Sequence, residues 1–287
     1  MQLPFILANR FVAAETLEET LPVVRELNDK GLYLALDLLG EYVKDRNVAA
    51  AARDTYIHLV HTLAGERQHG AHAANISIKL SMMGQKIDEG FCLDNLRQLL
   101  AAAKERNVFI RLDMEGTDIT DSTVRLFEQV YPDYPDHVGI VLQAYLKRTE
   151  GDVRRMCDLK ARVRMCKGAY KEPPELAYQD MPTIRERFMA YTEMLLTDGR
   201  YPGIATHDDL LIDATKRLVT KHQIDHDDFE FQMLYGIRPT TQEETVAEGY
   251  NMRVYVPYGT EWFPYFSRRL RERKENVWFV VSNLFRR

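Results

Sequence analysis

The sequence predicts an α/β fold, a distorted (β/α)8 barrel of the TIM type preceded by a short N-terminal helical segment. Two observations lead to this prediction: short β-rich runs alternate with longer helical patterns, and eight such runs occur along the 287 residues. Strand–helix alternation is typical of a parallel sheet, and eight units are the number that closes into a TIM barrel. The pattern leaves a doubly wound open sheet as the alternative.

The predicted strands are short runs rich in apolar and β-branched side chains. They cover residues 33–36, 76–80, 108–112, 139–142, 162–166, 203–206, 230–233 and 253–256. The predicted helices cover residues 49–68, 93–106, 118–131, 185–198, 210–222 and 241–248. Residues 4–30 are predicted to add a helix on the N-terminal side of the barrel. No linker interrupts the chain, so the prediction is one catalytic barrel domain over residues 1–287, with about 1–30 as the N-terminal helix and 31–287 as the barrel and C-terminal helix.

Composition restricts the class of function. The net charge of −5 and the pI near 5.9 give no electrostatic basis for binding nucleic acid. The three cysteines form no C-x-x-C pair, which indicates a reduced, cytoplasmic setting. No signal peptide and no uninterrupted apolar run of membrane-spanning length is present. We therefore expect a soluble cytoplasmic protein, for which a peripheral association with the membrane remains open.

Polar residues cluster where the predicted strands end, which is the face of a barrel that carries the chemistry. So many charged groups directed into a barrel are costly unless they bind something. They are Glu41, Lys79, Asp113, Glu115, Gln143, Tyr145, Arg164, Lys167, Tyr170, Thr206, His207, Asp208, Glu230, Gln232, Tyr235, Tyr255 and Tyr258.

Lys79 lies in the otherwise apolar run ISIKLS and shares a strand face with Ser77 and Ser81. A lysine pointing into a barrel needs an anionic partner, and Asp113 on the next strand is predicted to be that partner. Two interpretations stay open: a buried structural ion pair, or a lysine that forms a Schiff base as in barrel aldolases.

Two further motifs are weak signals. His207 in THDD could be a base or a metal ligand, but a strand followed by such residues is also an ordinary helix start. No other histidines have ligand spacing, so we predict no metal site. Gly168 in KGAY could expose backbone N–H groups to a phosphate. The chain contains neither the glycine-rich dinucleotide motif nor a P-loop motif.

The C-terminal block RVYVPYGTEWFPYFSRRLRER is the most informative segment. A strand and a Pro-Tyr-Gly turn lead into a helix on which Tyr265, Arg268 or Arg269, and Glu272 can share one face. Adjacent arginines near a strand end suit a carboxylate, which a guanidinium binds in a bidentate manner. The residues alone thus predict a pocket for a small carboxylate, without naming the reaction.

Taken together, ISIKLS, RLDMEG, VLQAYL, RMCKGAY, ATHD, FEFQMLYGIR and the C-terminal block resemble the flavin-dependent proline dehydrogenases. The resemblance spans nearly the whole chain. It is greatest to the short monofunctional bacterial type, whose barrel also occurs in the bifunctional proline utilisation A enzymes. It implies a barrel that holds FAD non-covalently, oxidises L-proline to Δ1-pyrroline-5-carboxylate by hydride transfer to flavin N5, and passes the electrons to a quinone at the cytoplasmic face of the inner membrane.

The resemblance also implies roles for individual residues. Lys79, Arg268 and Arg269 would bind the substrate carboxylate, with Asp113 orienting Lys79. Glu41 would pair with Arg268 as a gate. The proline ring would be lined by Tyr170, Leu234, Tyr255 and Tyr265. FAD would be contacted by Gln143, Arg164, Cys166, Lys167, Gly168, Ala169, Thr206, His207, Asp208, Gln232 and Glu272. Two other functions remain as alternatives, a Schiff-base aldolase using Lys79 or Lys167 and a barrel that binds an amino acid without turnover.

Overall fold

Eight parallel strands form a closed barrel in the computed structural model, which describes residue 5, residues 8–66 and residues 74–272, without the side chains of 268–272. The strands are β1 Tyr33–Leu38, β2 Asn75–Ile78, β3 Phe109–Leu112, β4 Val138–Gln143, β5 Arg162–Cys166, β6 Gly203–Ala205, β7 Glu230–Leu234 and β8 Met252–Tyr258. Each strand pairs with the next in chain order. The barrel closes where β8 pairs with β1, with Tyr33 opposite Arg253. The predicted barrel is therefore confirmed, and an open sheet is excluded.

Nine α-helices occur in the described residues. They are α1 Leu17–Asp29, α2 Arg46–Gly65, α3 Glu89–Glu105, α4 Thr117–Val130, α5 Thr149–Asp158, α6 Met181–Asp198, α7 Asp209–His222, α8 Pro239–Ala247 and α9 Trp262–Glu272. No helix in this part of the chain has the length and apolar content to cross a membrane.

Residues of special backbone conformation separate the helices from the strands. Aspartates begin several helices because their carboxylates accept the first free N–H groups; Asp208, for example, accepts from the N–H of Leu210 at the start of α7. A left-handed residue follows the helix in several of the αβ loops, as at Asn107 and Gln223. These signals define where each helix begins and ends.

The apolar core lies mainly between the strands and the surrounding helices, where residues such as Ile76, Ile110 and Val254 are fully buried. The inside of the barrel is different, because its inward-facing positions include Arg111, Arg164 and Gln232. The barrel interior is thus a hydrogen-bonded polar core rather than the usual layers of branched aliphatic residues.

One prediction about the helices was wrong, and one helix was missed. Helix α1 begins only at Leu17, where the Thr16 hydroxyl accepts from the N–H of Glu19, so residues 4–30 are not one helix. Helix α5 was not predicted at all; its sequence TEGDVRRMCD is strongly polar and contains a glycine, and its buried face consists of few apolar residues. The other predicted helices and strands are confirmed, with ends that differ by a few residues.

The segment at residues 8–15 lies at the C-terminal end of β8, not on the N-terminal side of the barrel as predicted. The Ala13 N–H donates to the Pro257 carbonyl, and the Gly259 N–H donates to the Ala14 carbonyl. A second apolar cluster, the α9 cluster, joins this segment to α9 and consists of Ala8, Phe11, Val12, Leu39, Ile237, Trp262, Tyr265 and Phe266. Helix α9 is therefore attached to the barrel mouth through residues that precede the barrel in the chain.

Candidate active site

The C-terminal ends of the strands surround a cavity of about 680 Å3, a volume typical of small-molecule sites. All eight strands contribute, from their middle or last residues or from the residue that follows. One lining residue from each, in strand order, gives Asp37, Lys79, Asp113, Val141, Arg164, Ala205, Gln232 and Tyr255.

Most of the predicted site residues line this single cavity, although their roles remain predictions. They are Glu41, Lys79, Asp113, Arg164, Cys166, Lys167, Gly168, Ala169, Tyr170, Thr206, His207, Asp208, Gln232, Leu234, Tyr255 and Tyr265. Gln143 does not line it; this side chain is buried, with its amide nitrogen 3.4 Å from the Met114 carbonyl. The side chains of Arg268, Arg269 and Glu272 lie outside the described residues.

Lys79 forms a buried ion pair with Asp37, not with Asp113 as predicted. Its Nζ lies 2.6 Å from Asp37 Oδ1. Burial by itself lowers the pKa of Lys79, but the carboxylates of Asp37 and Asp113 outweigh it and raise the pKa above its usual value. Lys79 is therefore a permanent ammonium ion at the floor of the cavity.

Asp113 belongs instead to a second ion pair, with a residue two strands away in the barrel. Its Oδ1 lies 2.8 Å from Arg164 Nη1, and its Oδ2 accepts a hydrogen bond of 2.7 Å from the Tyr255 hydroxyl. Arg164 also donates to Ser77 Oγ at 2.9 Å and to Gln232 Oε1 at 2.5 Å. Arg164 thus has three side-chain acceptors, which fix its guanidinium in one orientation beside the cavity.

The hydrogen-bond network continues from Gln232 to the opposite end of the barrel. Gln232 Nε2 donates to Glu230 Oε1, and Arg253 binds both carboxylate oxygens of Glu230 at 2.7 and 2.8 Å. Glu230 had been predicted at the active-site end, but it is the first residue of β7 and does not line the cavity. Its role is structural, because Arg253 satisfies it in a bidentate manner.

Positive charge also gathers at the rim of the cavity. Lys167 Nζ and Arg185 Nε lie 3.1 and 2.8 Å from Asp208 Oδ2. Burial alone would raise the pKa of Asp208, but these two cations outweigh it and hold the pKa below its usual value. Arg185 was not among the predicted site residues; it is the fifth residue of α6, where an arginine looks like an ordinary surface residue in the sequence.

His207 is a structural acceptor in this rim. Its Nε2 accepts the Leu234 N–H at 2.9 Å, and its carbonyl accepts from Arg238. Among the described residues, no group of three or more histidine, cysteine, aspartate or glutamate side chains could hold a metal ion.

Gly168 lies at the cavity wall with a backbone conformation and a close contact that a residue with a side chain could not adopt without strain. Its φ is +114°, and a Cβ built there would lie 2.2 Å from the Tyr145 ring. A side chain at this position would therefore need both a strained backbone and displacement of a buried tyrosine. The glycine brings the backbone of 167–169 close to any ligand in the cavity.

Glu115 is a buried carboxyl beside the loop that carries Glu41. Ser81 Oγ donates to Glu115 Oε2 at 2.6 Å and accepts the Tyr42 N–H at 3.0 Å. Ser81 had been predicted to share a face with Lys79, but the chain turns into a 3-10 helix after Lys79, and Ser81 is directed to Glu115 instead. Burial raises the pKa of Glu115 to about 7 against the opposing effect of the Ser81 bonds and Lys79.

This raised pKa predicts a pH-dependent contribution to stability. The pKa of Glu115 in the folded protein exceeds the usual 4.5, so the folded protein binds this proton more tightly than the unfolded chain. The free energy of unfolding therefore falls as pH rises from 4.5 through 7. Glutamine has no proton to lose in this range, so Glu115→Gln should avoid about 3 kcal/mol of this fall in the free energy of unfolding. Its Tm at pH 8 should therefore be higher than that of the parent. Thermal unfolding from pH 4 to 8 measures this, with exposed Glu105→Gln as the control. Equal pH profiles for parent and Glu115→Gln would contradict it.

Comparisons with known proteins agree with this arrangement. The family model described as proline dehydrogenase matches residues 20–282. Proline dehydrogenase 1 of Bacillus subtilis is 40% identical over 280 residues, which cover 98% of this chain and 91% of that protein. The proline dehydrogenase of Deinococcus radiodurans is 42% identical over 288 residues, covering 98% of this chain and 90% of that protein.

A solved structure supports the same conclusion. Proline utilization A from Bdellovibrio bacteriovorus, crystallised after inactivation by N-propargylglycine, superimposes with a TM-score of 0.87 at 26% identity. The match covers 93% of this chain and 32% of that longer chain.

The fold and the cavity define the class, a (β/α)8-barrel protein whose charged ligand site lies at the C-terminal ends of its strands. Within this class the chain belongs to the proline dehydrogenase family, a family of oxidoreductases. The predicted resemblance is confirmed.

Proposed function

We propose that this protein oxidises L-proline to Δ1-pyrroline-5-carboxylate with non-covalently bound FAD and passes the electrons to a quinone. The observation that carries the proposal is the Lys79 ammonium on the cavity floor, in a chain of this family. It supplies a fixed positive charge for a substrate carboxylate beside residues suited to a flavin. The quinone and a peripheral contact with the cytoplasmic face of the membrane rest on the family resemblance.

The residues present fit a flavin dinucleotide. Lys167 and Arg185 on the rim offer cations for its two phosphates, and the close backbone at Gly168 offers N–H groups beside them. Deeper in the cavity, Arg164 and Gln232 provide donors for the polar edge of an aromatic ring system. Thr206 and His207 would complete this set from the end of β6.

Lys79 suits carboxylate binding because its donors are only partly used. An ammonium group carries three N–H donors, and Asp37 Oδ1 accepts one of them. Arg268 and Arg269 on α9 would complete the carboxylate site, and Glu41 would pair with Arg268 to close it. The rings of Tyr170, Leu234, Tyr255 and Tyr265 would then exclude water from the substrate carbons.

FAD, when bound, supplies an acceptor for the hydride that leaves the proline ring carbon next to the nitrogen. The chain itself needs no nucleophile for this reaction. Its task is to orient the substrate, to exclude water and to keep positive charge in a fixed position. Arg164 meets the last requirement, because Asp113, Ser77 and Gln232 fix its orientation before any ligand binds.

The test of this proposal is the absorption spectrum of the purified protein before and after L-proline is added without an acceptor. We expect a flavin spectrum that L-proline bleaches, recovery on adding a soluble quinone, and release of free FAD by heat or acid. D-proline and L-alanine serve as controls. A protein that stays colourless after incubation with FAD, or a flavin that L-proline leaves oxidised, would refute the proposal.

The Schiff-base aldolase is disfavoured by the ion pair of Lys79. A lysine nucleophile needs a neutral amine and hence a lowered pKa, whereas Asp37 and Asp113 keep the pKa of Lys79 raised. Borohydride treatment in the presence of a carbonyl compound that aldolases accept, such as pyruvate, should leave Lys79 and Lys167 unmodified in a mass spectrum. The other alternative, binding without turnover, predicts no reduction of a dye by L-proline.

Recognition of the carboxylate can be tested with prolinamide, which keeps the ring but carries no negative charge. We expect kcat/KM for prolinamide to be about thirtyfold to several thousandfold below that for L-proline, because a charged hydrogen-bonded group loses about 2–5 kcal/mol when its partner is removed. Arg269→Met should weaken binding of carboxylate-bearing proline analogues, and Arg271→Met on the same helix is the matched control. Equal turnover of both compounds would contradict carboxylate recognition.

A further inference from the structure

Two arginines of the barrel, Arg111, which is buried, and Arg162, which is partly buried, have no carboxylate partner among the described residues. Three of the buried cations there have a carboxylate within 4.0 Å, in the pairs Lys79–Asp37, Arg164–Asp113 and Arg253–Glu230. Arg111 and Arg162 have no carboxylate at this distance within residues 8–66 and 74–267. Residues 67–73, which precede β2, contain no aspartate or glutamate in their sequence.

These two arginines lie together at the N-terminal end of the barrel. The guanidinium carbons of Arg111 and Arg162 lie 4.9 and 4.3 Å from the centre of the Phe109 ring. Arg111 is fully buried, and its Nη1 donates to the carbonyls of Ile140 and Arg162 at 3.2 and 2.5 Å. These carbonyls satisfy one nitrogen, but they do not neutralise the charge.

Several polar atoms at this end have no hydrogen-bond partner in the described chain. They are Nε and Nη2 of Arg111, Nε of Arg162, and both amide atoms of Asn75. Asn75 begins β2 opposite Phe109, so its amide belongs to the same end of the barrel. Buried N–H groups without partners are rare in folded proteins, and a group of them around two cations indicates a bound species.

The chain is shaped to accommodate Arg111. A Cβ on Gly139 would lie 2.5 Å from Arg111 Nη1 and 2.8 Å from the Phe109 ring, so only glycine leaves room for both. Glu230 attracts both arginines electrostatically, but it forms no ion pair with them, because its oxygens already accept from Arg253, Gln232 and Tyr201. Within the described residues, the charge on the two arginines is therefore without a partner in direct contact.

We propose that a small monovalent anion of halide size binds between Arg111, Arg162 and Asn75 at the N-terminal end of the barrel. Water can satisfy the free N–H groups, but only an anion also offsets the buried charge, which arginine does not lose by deprotonation. Burial and the neighbouring arginines lower the pKa of Arg111, which is the direction expected for cations crowded in one place. The site stabilises the barrel and does not depend on the proposed redox function.

Crystals grown with bromide in place of chloride test the proposal directly. We expect an anomalous bromine peak in contact with Arg111 Nε or Nη2. In solution, Tm should rise with chloride or bromide compared with gluconate at equal ionic strength, by about 2–5 °C for each tenfold increase above the dissociation constant. A bromine map without this peak, together with a Tm that ignores the anion, would mean that water alone occupies the site and would overturn the proposal.

Two variants connect the effect to these residues. Asn75→Asp supplies a carboxylate within the chain, so we expect a higher Tm in gluconate and a loss of the halide effect. Arg111→Met removes one cation and should also abolish the halide effect, whereas Arg217→Met, at an exposed arginine, should retain it. If Arg111→Met does not fold, Asn75→Asp decides the question. A halide effect that persists undiminished in Asn75→Asp would refute the assignment.

Discussion

Lys79→Met is expected to lower kcat/KM for L-proline by about thirtyfold to several thousandfold. The substitution removes the cation proposed to bind the carboxylate and leaves Asp37 buried without its partner at 2.6 Å. The loss of one member of a buried charge pair costs about 2–5 kcal/mol, from which this range follows. Stopped-flow measurement of flavin reduction at several proline concentrations would separate weaker binding from a slower reaction.

A double substitution distinguishes the two roles that Lys79 could have. Asp37→Asn combined with Lys79→Met removes both charges, so we expect Tm to recover towards that of the parent while kcat/KM stays low. Lys86→Met, at a lysine exposed on the surface, should leave both unchanged. Recovery of activity together with Tm in the double variant would show that Lys79 serves only to neutralise Asp37.

Glu230→Gln is expected to produce the largest loss of stability, about 3–5 kcal/mol. Glu230 is the only carboxylate that Arg253 binds among the described residues, and its removal leaves that buried arginine without a counter-charge. For chains slightly shorter than this one, Tm falls by about 2–4 °C for each kcal/mol of lost stability, so the expected fall here is roughly 6–20 °C. Glu248→Gln, at an exposed partner of Lys216, is the control and should shift Tm by no more than a degree or two.

The same residue predicts how the protein responds to acid. Burial alone would raise the pKa of Glu230, but Arg253 and the other nearby arginines lower it to about 2, below the usual 4.5. A lowered folded pKa contributes stability that is complete above pH 4.5 and disappears as pH falls towards 2. The Glu230→Gln variant should therefore lose less stability than the parent over that range. Parallel acid unfolding curves for the two proteins would contradict this.

The barrel fold could be predicted from the sequence because helices cover the strands of a parallel barrel. The strands therefore appear in the sequence as short apolar runs. Inward-facing polar residues such as Lys79, Arg164 and Gln232 stand out within those runs. Their convergence on one cavity also followed from the sequence, since strand ends meet at the same face of a barrel.

The pairing of these charges could not be predicted in the same way. Asp113 follows the strand next to that of Lys79, but Arg164 reaches it from two strands away, and this depends on side-chain length and strand stagger. Asp37 had a visible signal, an acidic residue between leucines in LALDLL, on the strand on the other side of Lys79. Glu230 was misplaced although it begins the predicted strand 230–233, since the first residue of a barrel strand lies at the end opposite to the catalytic face.

The attachment of α9 to the start of the chain has a practical consequence for shortening this protein. The first strand of the barrel begins at Tyr33, so a shortened protein designed from the strands alone would omit residues 8–15. Phe11 and Val12 are fully buried in the α9 cluster, and Glu15 accepts a hydrogen bond from the Trp262 indole at 3.0 Å. A version trimmed to the barrel would thus expose the apolar face of the helix that carries Tyr265, and we expect it to weaken the proposed carboxylate site.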